Sequence, residues 1–187
     1  MPPPRLTIDD TALLVLDLQE KLVPTIPGGE RVVGNAALML RLAAELGIPF
    51  LVTEHYPQGL GRTVPAVTSA MIDPAARVEK TRFSALVPVV DEMILSWRRG
   101  TILVCGIEAH VCVLQSVLDL QASGRQSFVV SDAVASSQPA QLPPALRRME
   151  AAGALTTGVM SAMYELLRDA QHPSRRACVD LAKRIQA

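Results

Sequence analysis

Two short apolar runs, Ala12-Leu13-Leu14-Val15-Leu16 and Ile102-Leu103-Val104-Cys105, constrain the fold of this chain more than any other feature. A strand with one wet face alternates apolar and polar side chains. A run that is apolar at every position has to be covered on both faces, as in a parallel sheet packed between helices. Between and after these runs the pattern changes to helical spacing over Arg31–Leu46, Ala85–Arg98, His110–Ser123 and Gln138–Ala152, and again up to Arg168. Glycines at 47, 100, 124 and 153 supply the stops. Shorter strands are predicted at Ile48–Thr53, Arg77–Lys80, Ser127–Ser131 and Ala154–Thr156, and the tail after His172 reads as helical. Pro57–Pro74, rich in Gly, Pro and Thr, reads as a long loop of the kind that often carries function. Strand and helix alternate throughout, so the expected fold is a three-layer α/β/α sandwich with a mainly parallel sheet and right-handed crossovers, a single domain over residues 1–187.

Composition narrows the function. Lysines and arginines equal aspartates and glutamates at 18 each, so the chain lacks the basic footprint that holds nucleic acid. No apolar run is long enough to span a membrane, and the N-terminal Met-Pro-Pro-Pro-Arg lacks the apolar segment of a signal peptide, so a cytoplasmic protein is expected. Cys105, Cys112 and Cys178 are odd in number and lack zinc spacing, which predicts free thiols. A mean hydropathy of +0.27 suggests apolar surface covered by another subunit, hence a homo-oligomer.

Ligands of such sheets bind beyond the carboxyl ends of the strands. Asp17 ends the first predicted strand, Glu54-His55-Tyr56 the second, Lys80 the third, Gly106-Ile107-Glu108 the fourth and Asp132 the fifth. Asp17 reads either as a cap on the next turn or as a half-desolvated general base. Lys80 reads either as one charge in a solvated run or as an inward partner for Asp17. Cys112 stands near a predicted helix N-terminus, where free N–H groups and the helix dipole favour a thiolate, so a lowered thiol pKa is expected. Cys105, inside an apolar strand, reads as a small core hydrophobe. His110 is two residues from Cys112 and faces elsewhere on a helix, so no Cys-His dyad is expected.

Three segments resemble the isochorismatase-like, or cysteine hydrolase, superfamily: Leu13-Leu14-Val15-Leu16-Asp17-Leu18-Gln19, Lys80-Thr81-Arg82-Phe83-Ser84-Ala85, and Gly106-Ile107-Glu108-Ala109-His110-Val111-Cys112-Val113. A fourth, Thr53-Glu54-His55-Tyr56-Pro57-Gln58-Gly59-Leu60-Gly61, is similar to the branch of isochorismatase domain-containing proteins. The match runs in order from Asp17 to about Glu165. The resemblance implies an Asp17-Lys80-Cys112 triad, a cis peptide between Ile107 and Glu108, and an oxyanion hole from the N–H groups of Glu108 and Cys112. Gln19, His55, Tyr56 and Phe83 are the expected pocket wall around a small-molecule substrate. Nicotinamidases of the superfamily place an Asp and two His as metal ligands after the second strand; Glu54, His55 and Tyr56 do not reproduce that set, so neither metal nor other cofactor is expected. True isochorismatases lack the cysteine, so its presence favours amide-like C–N hydrolysis through a thioester. The alternatives are a vinyl ether hydrolase that uses Asp17 alone, and a non-catalytic oligomeric binding protein.

Overall fold

The computed structural model describes residues 3–186, which leaves Met1, Pro2 and Ala187 of the expected domain outside the described residues. One sheet contains β1 (Thr11–Leu16), β2 (Phe50–His55), β3 (Arg77–Lys80), β4 (Thr101–Gly106), β5 (Gln126–Val134) and β6 (Leu155–Thr157). Their order is β3-β2-β1-β4-β5-β6, and every neighbouring pair is parallel. The helices are α1 (Gly29–Leu46), α2 (Pro57–Leu60), α3 (Pro65–Thr68), α4 (Pro88–Trp97), α5 (Leu114–Ala122), α6 (Leu142–Ala151), α7 (Val159–Leu167) and α8 (Arg175–Ala182).

The apolar runs behave as strand physics requires. Alternate residues of β1 enter opposite cores: Leu13 and Val15 pack with Val32, Met39 and Leu40 of α1 and with Met163 and Leu166 of α7. Ala12, Leu14 and Leu16 pack with Val90 and Ile94 of α4, Val117 and Leu120 of α5 and Met149 of α6. Each fully buried aliphatic side chain contributes about 1.5–3 kcal/mol, so covering both faces of the central strands supplies most of what holds the three layers together. Cys105 belongs to the α1 side of the core and is fully buried. Burial, with the Asp132 charge adding to it, holds this thiol well above its ordinary range, so it is inert.

Several boundaries differ from the sequence expectation, four of them for a clear local reason. The stretch Pro57–Pro74 is not wholly irregular, because Pro57 and Pro65 start the single-turn helices α2 and α3. Helix α4 starts at Pro88 rather than Ala85, with Val87 extended as its cap. Residues 138–141 precede α6 instead of belonging to it, with a single 3₁₀ turn over Pro139–Gln141. Finally, β5 runs on to Val134 through an irregularity against β4 between Val104 and Gly106.

The strand order reverses between β1 and β4, and the crevice above such a switch point is where an open α/β sheet binds ligands. The two strands touch closely there. Gly106 has φ +124°, and a Cβ on it would lie 2.1 Å from the carbonyl oxygen of Leu16. Ile107 N–H donates to that same carbonyl at 3.0 Å. Gly106→Ala is therefore expected to cost on the order of 3–4 kcal/mol, read as a lower urea midpoint; an unchanged midpoint contradicts this account of the β1–β4 junction.

Candidate active site

Asp17 leaves β1 in the left-handed region at φ +57°, a conformation that aspartate tolerates better than most residues. Its N–H still donates to Thr53 O across the β1–β2 register at 3.1 Å, so the backbone is fixed while the side chain departs from the strand alternation. The carboxylate is fully buried, with both oxygens occupied: the Thr53 hydroxyl donates to Oδ1 at 2.6 Å and the Lys80 ammonium to Oδ2 at 2.7 Å. Lys80 ends β3 opposite His55. Its Nζ also donates to the carbonyls of Arg82 at 3.2 Å and Phe83 at 3.1 Å, so all three ammonium donors have acceptors. Both side chains of this ion pair have zero exposure. The structure thus resolves the two readings of Lys80 in favour of the inward one.

Cys112 lies in a π-helical turn, Ala109–Val113, which precedes α5. Such turns are rare and collect at functional sites. The Ile107–Glu108 peptide before it is cis. Glu108 O accepts from the N–H groups of Val111 at 3.0 Å and Val113 at 3.1 Å, bypassing the Cys112 amide between them. The Glu108 carboxylate turns away to Ser137, whose N–H and hydroxyl donate to Oε2 at 2.7 and 2.6 Å. His110 pairs through Nδ1 with the Ser136 hydroxyl at 3.0 Å rather than with Cys112.

The expected lowering of the Cys112 thiol pKa is overturned. Burial pushes it up to about 12, the Asp17 carboxylate adds to the rise, and the Lys80 ammonium opposes it. Cys112 is only 6% exposed, so desolvation outweighs the helix-terminus effect. The Cys112 thiol thus rests in its neutral form, beside both charges of the ion pair.

The residues expected to wall the pocket divide into two groups. Gln19 is fully buried and its amide serves the backbone: Nε2 donates to His55 O at 3.0 Å and Gly61 O at 2.7 Å, while Oε1 accepts from His55 N–H at 2.7 Å. It clamps the loop instead of facing a ligand. His55, Tyr56 and Phe83 lie nearer the surface. The His55 and Phe83 rings lie 5.3 Å apart, and Tyr56 and Phe83 are half exposed. Burial lowers the His55 pKa, the Lys80 charge lowers it further, and Asp17 and the Arg82 carbonyl oppose, so the imidazole is neutral near pH 7. Its Nδ1 is buried with no partner among the described residues. Beside Phe83 a cleft of about 390 Å³ runs between residues 81–84 and Gln115, Leu118 and Asp119 of α5. Asp132 serves structure, its carboxylate accepting the Val159 N–H at the start of α7 at 2.9 Å.

Glu54 fastens the same loop from below. Its fully buried carboxylate accepts the Thr63 N–H at 2.7 Å and hydroxyl at 2.8 Å, and pairs with Arg62 at 2.9 Å and Arg77 at 3.7 Å. Burial alone would raise its pKa, but the Thr63 and Arg62 hydrogen bonds and the Arg77 charge outweigh it and hold the group below its ordinary 4.5. A depressed folded pKa stabilises above the unfolded value and loses that contribution as pH falls through the folded one. The stability gap between wild type and Glu54→Gln is therefore expected to be constant above about pH 5.5 and to shrink below 4.5, measured by urea unfolding at each pH. A gap that does not change with pH contradicts the assignment.

Two partners of the site, Thr53 and Ser116, were not legible in the sequence. Thr53 becomes visible only once β1 and β2 are in register, with Leu16 opposite it. Ser116 looks like any polar residue of α5. Among the described residues no three His, Cys, Asp or Glu side chains gather as a metal site, and no helix is long and apolar enough to cross a membrane.

Comparison with known proteins finds that the isochorismatase domain matches residues 11–161. The isochorismatase domain-containing protein 2A of Mus musculus is 39% identical over 169 residues, 90% of this chain and 81% of that one. Among solved structures, the MAR1 ribonuclease from Caenorhabditis elegans superposes with a TM-score of 0.91 at 34% identity, covering 95% of this chain and 92% of that one. The YcaC gene product of Escherichia coli, an octameric hydrolase of unknown specificity, shares the fold with a TM-score of 0.86 at 23% identity, covering 98% and 90%.

Proposed function

Because the chain belongs to the isochorismatase family of hydrolases, in the branch of the isochorismatase domain-containing proteins, we propose that it is a single-domain, cytoplasmic cysteine hydrolase that cleaves an amide-like C–N bond of a small molecule. The observation that carries this reading is the buried 2.7 Å pair of Asp17 and Lys80 beside the Cys112 thiol.

Asp17 takes the thiol proton as the sulfur attacks the carbonyl carbon, so no free thiolate has to accumulate. The carbonyl oxygen becomes an oxyanion held by the N–H groups of Glu108 and Cys112; one such donor is worth about a hundredfold or more in rate. Asp17, now protonated, gives its proton to the departing nitrogen as the C–N bond breaks, which leaves an acyl thioester on Cys112. A water molecule, deprotonated by Asp17, attacks the thioester, releases the carboxylic acid and returns the proton to sulfur. Lys80 and Thr53 hold one carboxylate oxygen each and orient the base. His55, Tyr56 and Phe83 form the mouth, where a polar group of the substrate pairs with His55 Nδ1. The half-exposed Tyr56 and Phe83 beside the mouth support a homo-oligomer that covers them.

A second reading is favoured by the raised thiol pKa. Asp17 would act as a proton donor to a vinyl ether, and Cys112 would only line the site. A polynucleotide substrate fits poorly, because 18 basic and 18 acidic residues leave no net positive charge to attract phosphates. Screening small amides, ureides and hydroxamates, with a vinyl ether and an RNA oligonucleotide alongside, tests these readings on wild type and Cys112→Ala. Turnover of an amide that is lost in the variant is expected. Turnover of only the vinyl ether or the RNA, surviving in Cys112→Ala, overturns the proposal.

A further inference from the structure

Ser116 is fully buried one helical turn beyond the nucleophile, and its hydroxyl bridges two segments. It donates to the carbonyl oxygen of Cys112 at 2.6 Å and accepts from the N–H of Ala85 at 2.8 Å. A serine hydroxyl has one hydrogen to donate, and here that hydrogen and an oxygen lone pair are both engaged. Ala85 closes the segment that begins at Lys80. Within that segment the carbonyls of Arg82 and Phe83 hold the Lys80 ammonium. One oxygen atom therefore ties the turn that carries the thiol to the loop that cradles the ammonium.

Bonding of a helical serine to the carbonyl four residues back is common and slightly unfavourable by itself. The second bond, to Ala85, is different in kind. It reaches 31 residues back in the chain and lies in the buried interior. Nothing in helix formation requires it, and it links the segments that carry Lys80 and Cys112. These residues stand on different strand ends, β3 at one edge of the sheet and the turn after β4, separated by β2 and β1. Sheet register alone fixes their backbones at that distance but not the loop and turn that bring the side chains together.

We infer that Ser116 is a positioning residue that sets the spacing between the Lys80 ammonium and the Cys112 sulfur. The inference rests on the thiol chemistry proposed above for its kinetic consequence, but not for its geometric one. Loss of the hydroxyl lets the 80–85 segment relax from α5, carrying the ammonium away from the thiol. The one nearby positive charge that favours ionisation of the thiol then weakens, and the base that Lys80 orients loses its aim.

Three variants separate positioning from packing. Ser116→Ala and Ser116→Val remove the hydroxyl, and Ser116→Thr keeps it in nearly the volume of valine. The first readout is alkylation of Cys112 by iodoacetamide at pH 8, followed on the Cys112 peptide by mass spectrometry, which needs no substrate. Alanine and valine are expected to slow alkylation about fivefold or more, and threonine to restore the wild-type rate within about twofold. With an amide found in the screen, kcat is expected to fall about tenfold to a hundredfold in the alanine variant while KM stays within about twofold. A merely structural hydroxyl gives the opposite sign, because loosened packing exposes the thiol and speeds alkylation. Wild-type or faster alkylation in a folded alanine or valine variant overturns the inference. Failure of both to fold also overturns it, by assigning the hydroxyl to folding. If wild type cleaves no amide while the alkylation ranks as stated, the chemical proposal has failed and the positioning role stands.

Discussion

Cys112→Ala is expected to lower turnover of the amide substrate by about 10⁴-fold or more, with thermal unfolding within about 2 °C of wild type. The magnitude follows from the role. Without sulfur there is no covalent intermediate, and the oxyanion donors and the Asp17 base are left to assist only direct attack by water. The stability should hold because Cys112 is a small side chain, so alanine removes a single sulfur atom from the interior. Under the vinyl ether reading the same variant keeps its activity and Asp17→Ala loses it. A loss confined to Asp17 variants would therefore reassign the chemistry without disturbing the fold.

Asp17→Asn is expected to be both inactive and markedly less stable. Asp17 and Lys80 have zero side-chain exposure, and removing one member of such a pair strands the other charge without its counter-ion. The usual cost is about 3–5 kcal/mol, and at about 2–4 °C per kcal/mol for a chain of this size the melting temperature falls by roughly 10 °C. Asp17→Asn with Lys80→Met removes both charges and should recover most of that stability, because a buried pair contributes little net stability over neutral groups of similar volume. Activity should stay absent in the double variant, since the base is still missing. Calorimetry on the three proteins checks this. A double variant no more stable than Asp17→Asn would show that the pair is not isolated from water as the structure has it. A fully active Asp17→Asn would remove the proton acceptor from the mechanism.

What the sequence disclosed, and what it did not, follows from the range of the forces involved. The uninterrupted apolar runs of β1 and β4 identify strands covered on both faces, and strand ends locate Asp17, Lys80 and the 106–112 segment on one rim before any coordinates are known. Hydropathy acts residue by residue, so it is legible. Whether Lys80 turns inward is not, since Arg77-Val78-Glu79-Lys80 reads equally well as a solvated charge run; only the β2–β3 register and the Arg82 and Phe83 carbonyls decide it. Thr53 is hidden for the same reason. A helix N-terminus is visible in sequence and burial is not, so the sequence points the Cys112 titration the wrong way. The π-helical turn and the 6% exposure of Cys112 place the thiol where desolvation dominates. Gln19 is one of the expected pocket-wall residues, yet its three hydrogen bonds hold His55 and Gly61. The loop clamps made by Gln19 and Glu54 arise from contacts between distant segments, and no periodicity records them.

The most direct test is the mass of the intact wild-type protein, acid-quenched during steady-state turnover of its amide, with the labelled peptide then sequenced. The account predicts an increment equal to the acyl portion of the substrate, carried on Cys112 and missing from Cys112→Ala. Continued turnover with no added mass on any cysteine, and an undiminished rate in Cys112→Ala, would contradict it.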